Sequence, residues 1–284
     1  MMSARIERLA ALQRPCGGFE SVVATRTSRD LDVNGFTTAW VLTVLDPVVA
    51  DPALASVKSR ALDFLEGCAW SSPKGAYGFW PERSRPAWAA KLPPDVDDSA
   101  LMLAQLHRNG RMSREAALHA LCTAILPCRV PPGECIARPP WVVPGCFETW
   151  IVPRGGVRPR VQVVDACVNA NVAALMAQLG APHLPGFREA CTAIDRGLAW
   201  AGDERARLAS LTPFYPSRRG FAEALERAVE RGASALAPAA RRVAALAFES
   251  DDDAAACCCS AYGHAVWRCP ALEEARAIAR SAAG

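Results

Sequence analysis

The sequence predicts an all-α protein of stacked helical hairpins, and three observations lead there. Strand-like alternation is nearly absent; the stretch "WVVPGCFETWIVP" comes nearest, and its prolines make it a loop or a short edge strand. Four segments share a polar or acidic start followed by a helix of small and apolar residues: "DLDVNGFTTAWVLTVL", "PPDVDDSALMLAQL", "VVDACVNANVAALMAQLG" and "ESDDDAAACCCSAYGHAVW". With Asp32, Asp97, Asp165 and Asp253 as markers, they recur at intervals of about 65, 68 and 88 residues, room for an outward and a return helix each time.

Each element has its own reason. "MMSARIERLAALQRP" has the apolar spacing of an amphipathic helix. The four repeated segments are rich in Ala, Ser, Thr, Asn and Cys, which suits helices crowded around a common axis. "FAEALERAVERGASAL", with its Glu and Arg face, suits an outer ring. Residues 127–162 read as an irregular loop region, and 1–284 as one domain. Inner helices that all begin at one end would gather their acidic starts around a single mouth.

Composition narrows the function. The chain has 284 residues, 51% hydrophobic, with a formal charge of +3. That is enough apolar content for a large core, and no long basic stripe marks a nucleic-acid binder. No stretch approaches the roughly 20 apolar residues of a membrane span, and the first helix lacks the form of a secretory signal. A cytoplasmic protein is expected, with contact at a membrane surface left open. The twelve cysteines are then expected to be reduced and buried. Cys257, Cys258 and Cys259, placed on a helix, would point three ways and make a poor metal site.

The densest chemistry lies in "KLPPDVDDSALMLAQL", where Asp95, Asp97 and Asp98 stand behind two prolines and ahead of an apolar run. Neighbouring carboxylates resist a second and third charge, so the cluster retains a proton where an isolated Asp would lose it. A helix N-terminus favours the anion and pulls the other way. Two readings stand side by side: Asp97 or Asp98 as a simple N-cap with an acidic first turn, Ser99 helping to cap it, or a proton donor at the mouth of a cavity.

"DVDDSA" resembles the Asp-x-Asp-Asp motif of class II terpene cyclases of the squalene–hopene cyclase type. "LQRPCGGFES" and "GAYGFWPE" are similar to the Gln/Gly/aromatic loops of the wider family, which includes the protein prenyltransferase β subunits. The resemblance implies an α/α toroid and an isomerase or lyase that protonates an isoprenoid. It assigns Asp97 as donor, with Asp95 and Asp98 as supports. The chain departs from the family in supplying one helical domain where squalene–hopene cyclases use two, and in lacking a full series of Gln-Trp repeats. A second copy or a second cyclase domain is therefore among the partners the resemblance raises. The class I motif Asp-Asp-x-x-Asp is absent, since Asp251, Asp252 and Asp253 are followed by alanines; magnesium would enter only with a substrate that bears a diphosphate, and no cofactor is otherwise expected.

A cyclase also needs an apolar, aromatic cavity. Phe36, Trp40 and Trp80 are the candidate lining, and Trp88, Trp141 and Trp150 lie in loop-like stretches; each can equally be packing between hairpins. Asp165 and Asn169 share a helix face and are candidate pocket-wall residues, while Asn171 points elsewhere. These amides can orient the acid cluster or cap neighbouring hairpins. Two other functions remain open. Asp165 and Cys167 resemble the Asp-x-Cys pair of the prenyltransferase β subunits, with His264 on a later helix as a third zinc ligand. Alternatively, the chain is a non-catalytic protein that binds a lipid or a partner.

Overall fold

The computed structural model describes residues 2–48, 51–90, 92–152, 162–246, 256–260 and 263–283, with the side chains of 135–137 and 283 left aside. Eleven α-helices and four strands occur among these residues. The helices are α1 (Met2–Ala11), α2 (Gly35–Val44), α3 (Pro52–Gly67), α4 (Val96–Arg108), α5 (Arg114–Ala120), α6 (Ala166–Gln178), α7 (Phe187–Ala201), α8 (Arg205–Leu211), α9 (Arg218–Glu230), α10 (Ala237–Ala245) and α11 (Pro270–Ala283). The strands are β1 (Glu20–Ala24), β2 (Arg29–Val33), β3 (Ala256–Cys259) and β4 (Val266–Arg268).

The expectation of an all-α, α/α-toroid fold is overturned. The four strands form one antiparallel sheet in the order β2-β1-β4-β3. β1 and β2 make a local hairpin in which Ser21 faces Asp32, whereas β1 meets β4 across most of the chain, Val23 opposite Trp267. Two of the four repeated segments are misplaced as a result. Asp32 lies within β2, and α2 starts three residues later, capped by Asn34 Oδ1, which accepts from the Thr37 N–H at 2.8 Å. In the last segment Cys257, Cys258 and Cys259 belong to β3, and Asp251, Asp252 and Asp253 lie outside the described residues.

Each of these strands is hard to see in a sequence for a physical reason. β3 is buried at every position, so it carries no apolar–polar alternation and reads like a small-residue helix. β2 is an edge strand, "RDLDV", whose charges keep its open side from pairing with another chain.

The small-residue helices are indeed the buried ones. In α4 every residue from Val96 to Leu106 is buried, and in α6 every residue from Ala166 to Met176. α2 packs on α4, α4 on α6 and α6 on α9, while α11 packs on α2. α3, α5, α7 and α10 cover α2, α4, α6 and α9 respectively, and α1 covers α11. Ala, Cys and Asn on α6 let its neighbours approach from all sides. α9, expected in an outer ring, packs directly on α6, and its Arg227 is buried. Of its charged residues, Glu226 and Glu230 stay exposed while Arg227 turns inward. Within 127–162, the described residues hold short 3-10 turns and isolated bridges. Among the described residues no helix is long and apolar enough to cross a membrane.

Candidate active site

The two prolines before Asp95 keep the chain extended into α4, and Asp95 itself has φ −129° and ψ 165°. Its neighbours are held by residues 149–151: the Val96 N–H donates to the Thr149 carbonyl at 2.8 Å, and the Ile151 N–H to the Pro94 carbonyl at 3.0 Å. Asp95 is the N-cap, Oδ1 accepting from the Asp98 N–H at 2.6 Å. Ser99 does not cap; its hydroxyl donates to the Asp95 carbonyl at 2.6 Å and accepts from the Tyr77 N–H at 2.9 Å, tying the helix to the glycine-aromatic loop.

All three carboxyls are withdrawn from water, at 9%, 6% and 1% exposure for Asp95, Asp97 and Asp98. Asp97 is the best provided with donors. Asn171 Nδ2 donates to its Oδ1 at 2.7 Å, and the Tyr215 hydroxyl to its Oδ2 at 2.6 Å. Asn171 Nδ2 also reaches the Tyr215 oxygen at 2.9 Å, and Arg227 donates to Asn171 Oδ1 at 2.6 Å. That last bond fixes the amide with its NH₂ toward Asp97. Burial raises the Asp97 pKa, while the bonds from Asn171 and Tyr215 and the Arg227 charge draw it back.

Asp98 lacks such help. Its Oδ2 is buried without a hydrogen-bond partner, and burial, then the Asp95 charge, push its pKa well above the carboxylate range. Asp95 rises to about 7, first through burial and then through Asp97, with the Asp98 N–H opposing. Asp98 is thus the member most readily kept neutral, and a proton on it answers the charge of Asp95.

The cluster opens on a cavity of about 360 Å³, within the range of small-molecule sites. Its walls include Phe36, Phe79, Trp80, Trp88, Trp150, Phe214, Tyr215 and Trp267, with Leu92, Val168, Cys258 and Cys259 between them. Phe36 and Trp80 therefore stand where a lining was expected. Trp40 does not: it is 1% exposed, behind Phe36 and Tyr215 at ring distances of 5.5 Å, with its N–H on Glu223 at 3.1 Å.

Asp165 and Asn169 also stand apart from the cavity wall. Asp165 caps α6, Oδ1 accepting from Cys167 and Val168 at 2.7 and 3.3 Å, and Oδ2 accepting from the Phe214 N–H at 3.1 Å. Burial and the Asp97 charge still raise it to about 7 against those three donors. Asn169 accepts from the Phe147 N–H at 2.9 Å and donates to the Phe147 and Asp165 carbonyls at 3.0 and 2.9 Å, a purely backbone task. The alternative zinc set of Asp165, Cys167 and His264 does not assemble. Both Asp165 oxygens are engaged by backbone N–H groups, and His264 lies in the bend before β4 rather than on a helix, at the cavity wall. Among the described residues no three His, Cys, Asp or Glu side chains are grouped to hold a metal.

Asn171, Tyr215, Arg227 and Trp267 were not singled out as site residues from sequence. Asn171 carried a signal: a buried amide in an apolar helix requires a partner, and it points away from the Asp165 face, toward Asp97. Tyr215 carried none, and Arg227 sits within the charged face read as outward.

No family model and no curated protein matches the chain. Among solved structures, it is similar to a variant of type II terpene cyclase MstE from Scytonema in complex with geranylgeranyl dihydroxybenzoate. There the identity is 13%, 99% of this chain and 96% of that chain are covered, and the TM-score is 0.47. It is also similar to a protein from Actinoplanes at 16% identity, with both chains covered in full and a TM-score of 0.47. The same cyclase without ligand gives 14% identity over 86% of this chain and 76% of that chain, with a TM-score of 0.43. What the cavity can do follows from its own side chains.

Proposed function

We propose that the chain is a terpene-cyclase-like enzyme that starts cyclisation of an isoprenoid by protonation from Asp97. One observation carries this: a buried carboxyl, supplied with two donors that stabilise its anion, opens on an apolar cavity walled by aromatic rings. Burial keeps the proton on Asp97 until an alkene or epoxide is set against it to receive it. Once the proton leaves, Asn171 and Tyr215 hold the carboxylate through bonds already in place, and Arg227 steadies Asn171. A strong acid is one whose conjugate base is stabilised, and here that stabilisation is preorganised.

The proton passes from Asp97 to a terminal alkene carbon or epoxide oxygen, and the resulting carbocation is attacked by the next double bond. Loss of a proton from the last cation ends the sequence. Asp95 and Asp98, sharing one proton, spare Asp97 a second full negative charge nearby. The lining rings present π faces to the cations and keep water out.

The test is incubation with linear isoprenoids of several lengths, as hydrocarbons, epoxides, alcohols and diphosphates, in H₂O and in D₂O. A cyclic product carrying one deuterium at the initiating carbon is expected for an alkene substrate. Asp97→Asn should lower turnover by about 10² to 10⁴. Binding without conversion would reassign the chain as a lipid-binding protein, and full turnover by Asp97→Asn would remove Asp97 as the acid.

A further inference from the structure

One carboxylate outside the acid cluster is bound to the cavity wall itself. Asp32, on the edge strand β2, accepts from Trp80 Nε1 through Oδ1 at 2.7 Å and from Trp267 Nε1 through Oδ2 at 2.8 Å. Oδ2 also accepts from Asn34 Nδ2 at 2.9 Å, and the Asp32 backbone carbonyl accepts from Ser21. The two indoles come from the loop before α4 and from β4, and both are at least 95% buried. They meet at a ring distance of 6.5 Å, with Phe79 packed against each at 4.5 and 5.2 Å.

Each indole N–H takes its own oxygen of the one carboxylate, a pair of acceptors that an amide side chain does not offer. The charge that comes with those two oxygens acts on the rings as well. A carboxylate on the N–H edge pushes electron density onto the ring and deepens the negative potential of its faces, and both rings line the cavity. Asp32 also sets its carboxylate against the N–H edges of both buried rings.

We infer that Asp32 is a positioning residue that makes the Trp80–Trp267 wall selective for cations over neutral groups of the same shape. The inference rests on the cyclase reading for its purpose, because a carbocation is the cation such a wall would stabilise after Asp97 has given up its proton. Its test does not need the natural substrate.

The probes are hexyltrimethylammonium, a stable cation, and 2,2-dimethyloctane, its uncharged isostere. Binding to the full chain is followed by tryptophan fluorescence, and the quantity read is the ratio of the two affinities. The acid cluster attracts the ammonium equally in every Asp32 variant, so a change in ratio reports on Asp32. Asp32→Asn should lower the ratio about three- to tenfold, with the affinity for 2,2-dimethyloctane little changed, and Asp32→Glu should restore much of it. Were Asp32→Asn not to fold, Trp267→Phe, which keeps a ring and removes one donor, should lower the ratio in the same direction.

An unchanged ratio in Asp32→Asn, or an equal loss of both affinities, would overturn the inference and leave Asp32 a structural clamp. The cyclase reading fails separately, through Asp97→Asn or the absence of any cyclic product. If both stand, Asp32→Asn should also shift products toward early, incompletely cyclised olefins while deuterium uptake continues.

Discussion

Tyr215 shows how much one side chain does at this site. Its hydroxyl accepts from Asn171 and donates to Asp97, and its ring packs between Phe36 and Trp40 at 5.7 and 5.5 Å. Tyr215→Phe should therefore keep the packing and lose the bonds. A cost of about 1 kcal/mol in urea unfolding is expected. Because the lost donor favours the Asp97 anion, the Asp97 pKa should rise further, and initiation should slow by about tenfold for each 1.4 kcal/mol of conjugate-base stabilisation removed. Single-turnover kinetics on a converted isoprenoid would read this; an unchanged rate would place Tyr215 outside the proton transfer. Asp165 was legible as a helix start, since a short acid before an apolar run has backbone N–H groups to satisfy; at α4 the sequence offered Asp97 or Asp98 as the cap, and the cap is Asp95. Which carboxyl would collect Asn171, Tyr215 and Arg227 was not legible, because those three residues lie 74, 118 and 130 positions from Asp97.

At the scale of elements, α6 separates two kinds of amide. Asn169 ties the helix to the backbone at Phe147, and Asn171, two residues on, turns to the acid. Asn169→Ala leaves the Phe147 N–H and carbonyl unanswered in a buried place, so a loss of about 1 to 3 kcal/mol is expected. Turnover of the folded fraction should change little. Asn171→Ala should do the reverse in emphasis, lowering turnover at least tenfold by freeing Asp97 and leaving Arg227 without its acceptor. Comparing the two variants by thermal unfolding and product formation checks both outcomes. The sheet belongs to this scale too. Its strands are three to five residues long, one fully covered and one charged, so neither shows alternation. Their partnership is set by β1 meeting β4, a pairing with no local signal.

For the molecule as a whole, buried carboxyls govern the response to pH. Asp95 and Asp165 have folded pKa values of about 7 against an ordinary value of 3.8. Between those values the folded protein retains protons that the unfolded chain has released, so stability falls as pH rises from about 4 to about 7. Asp97 and Asp98, shifted in the same direction, extend the trend. A melting-temperature series over that range should show the decline. Asp95→Asn, which keeps a competent N-cap, should flatten it; a melting temperature that rises across the window would contradict the assignment.

Composition and pattern by themselves determined that helices of small residues would be buried and that acids would stand at the starts of α4 and α6. Those properties follow from short-range demands: small side chains allow close approach, and first-turn N–H groups need an acceptor. The tertiary structure alone decided that α9 turns its Arg227 inward, that Trp40 sits behind the cavity rather than in it, and that a sheet carries part of the wall. It also set one carboxylate, Asp32, behind two indoles drawn from distant parts of the chain. Hydrogen bonds and ring contacts between remote segments have no spacing to be read; they exist only once the chain has closed.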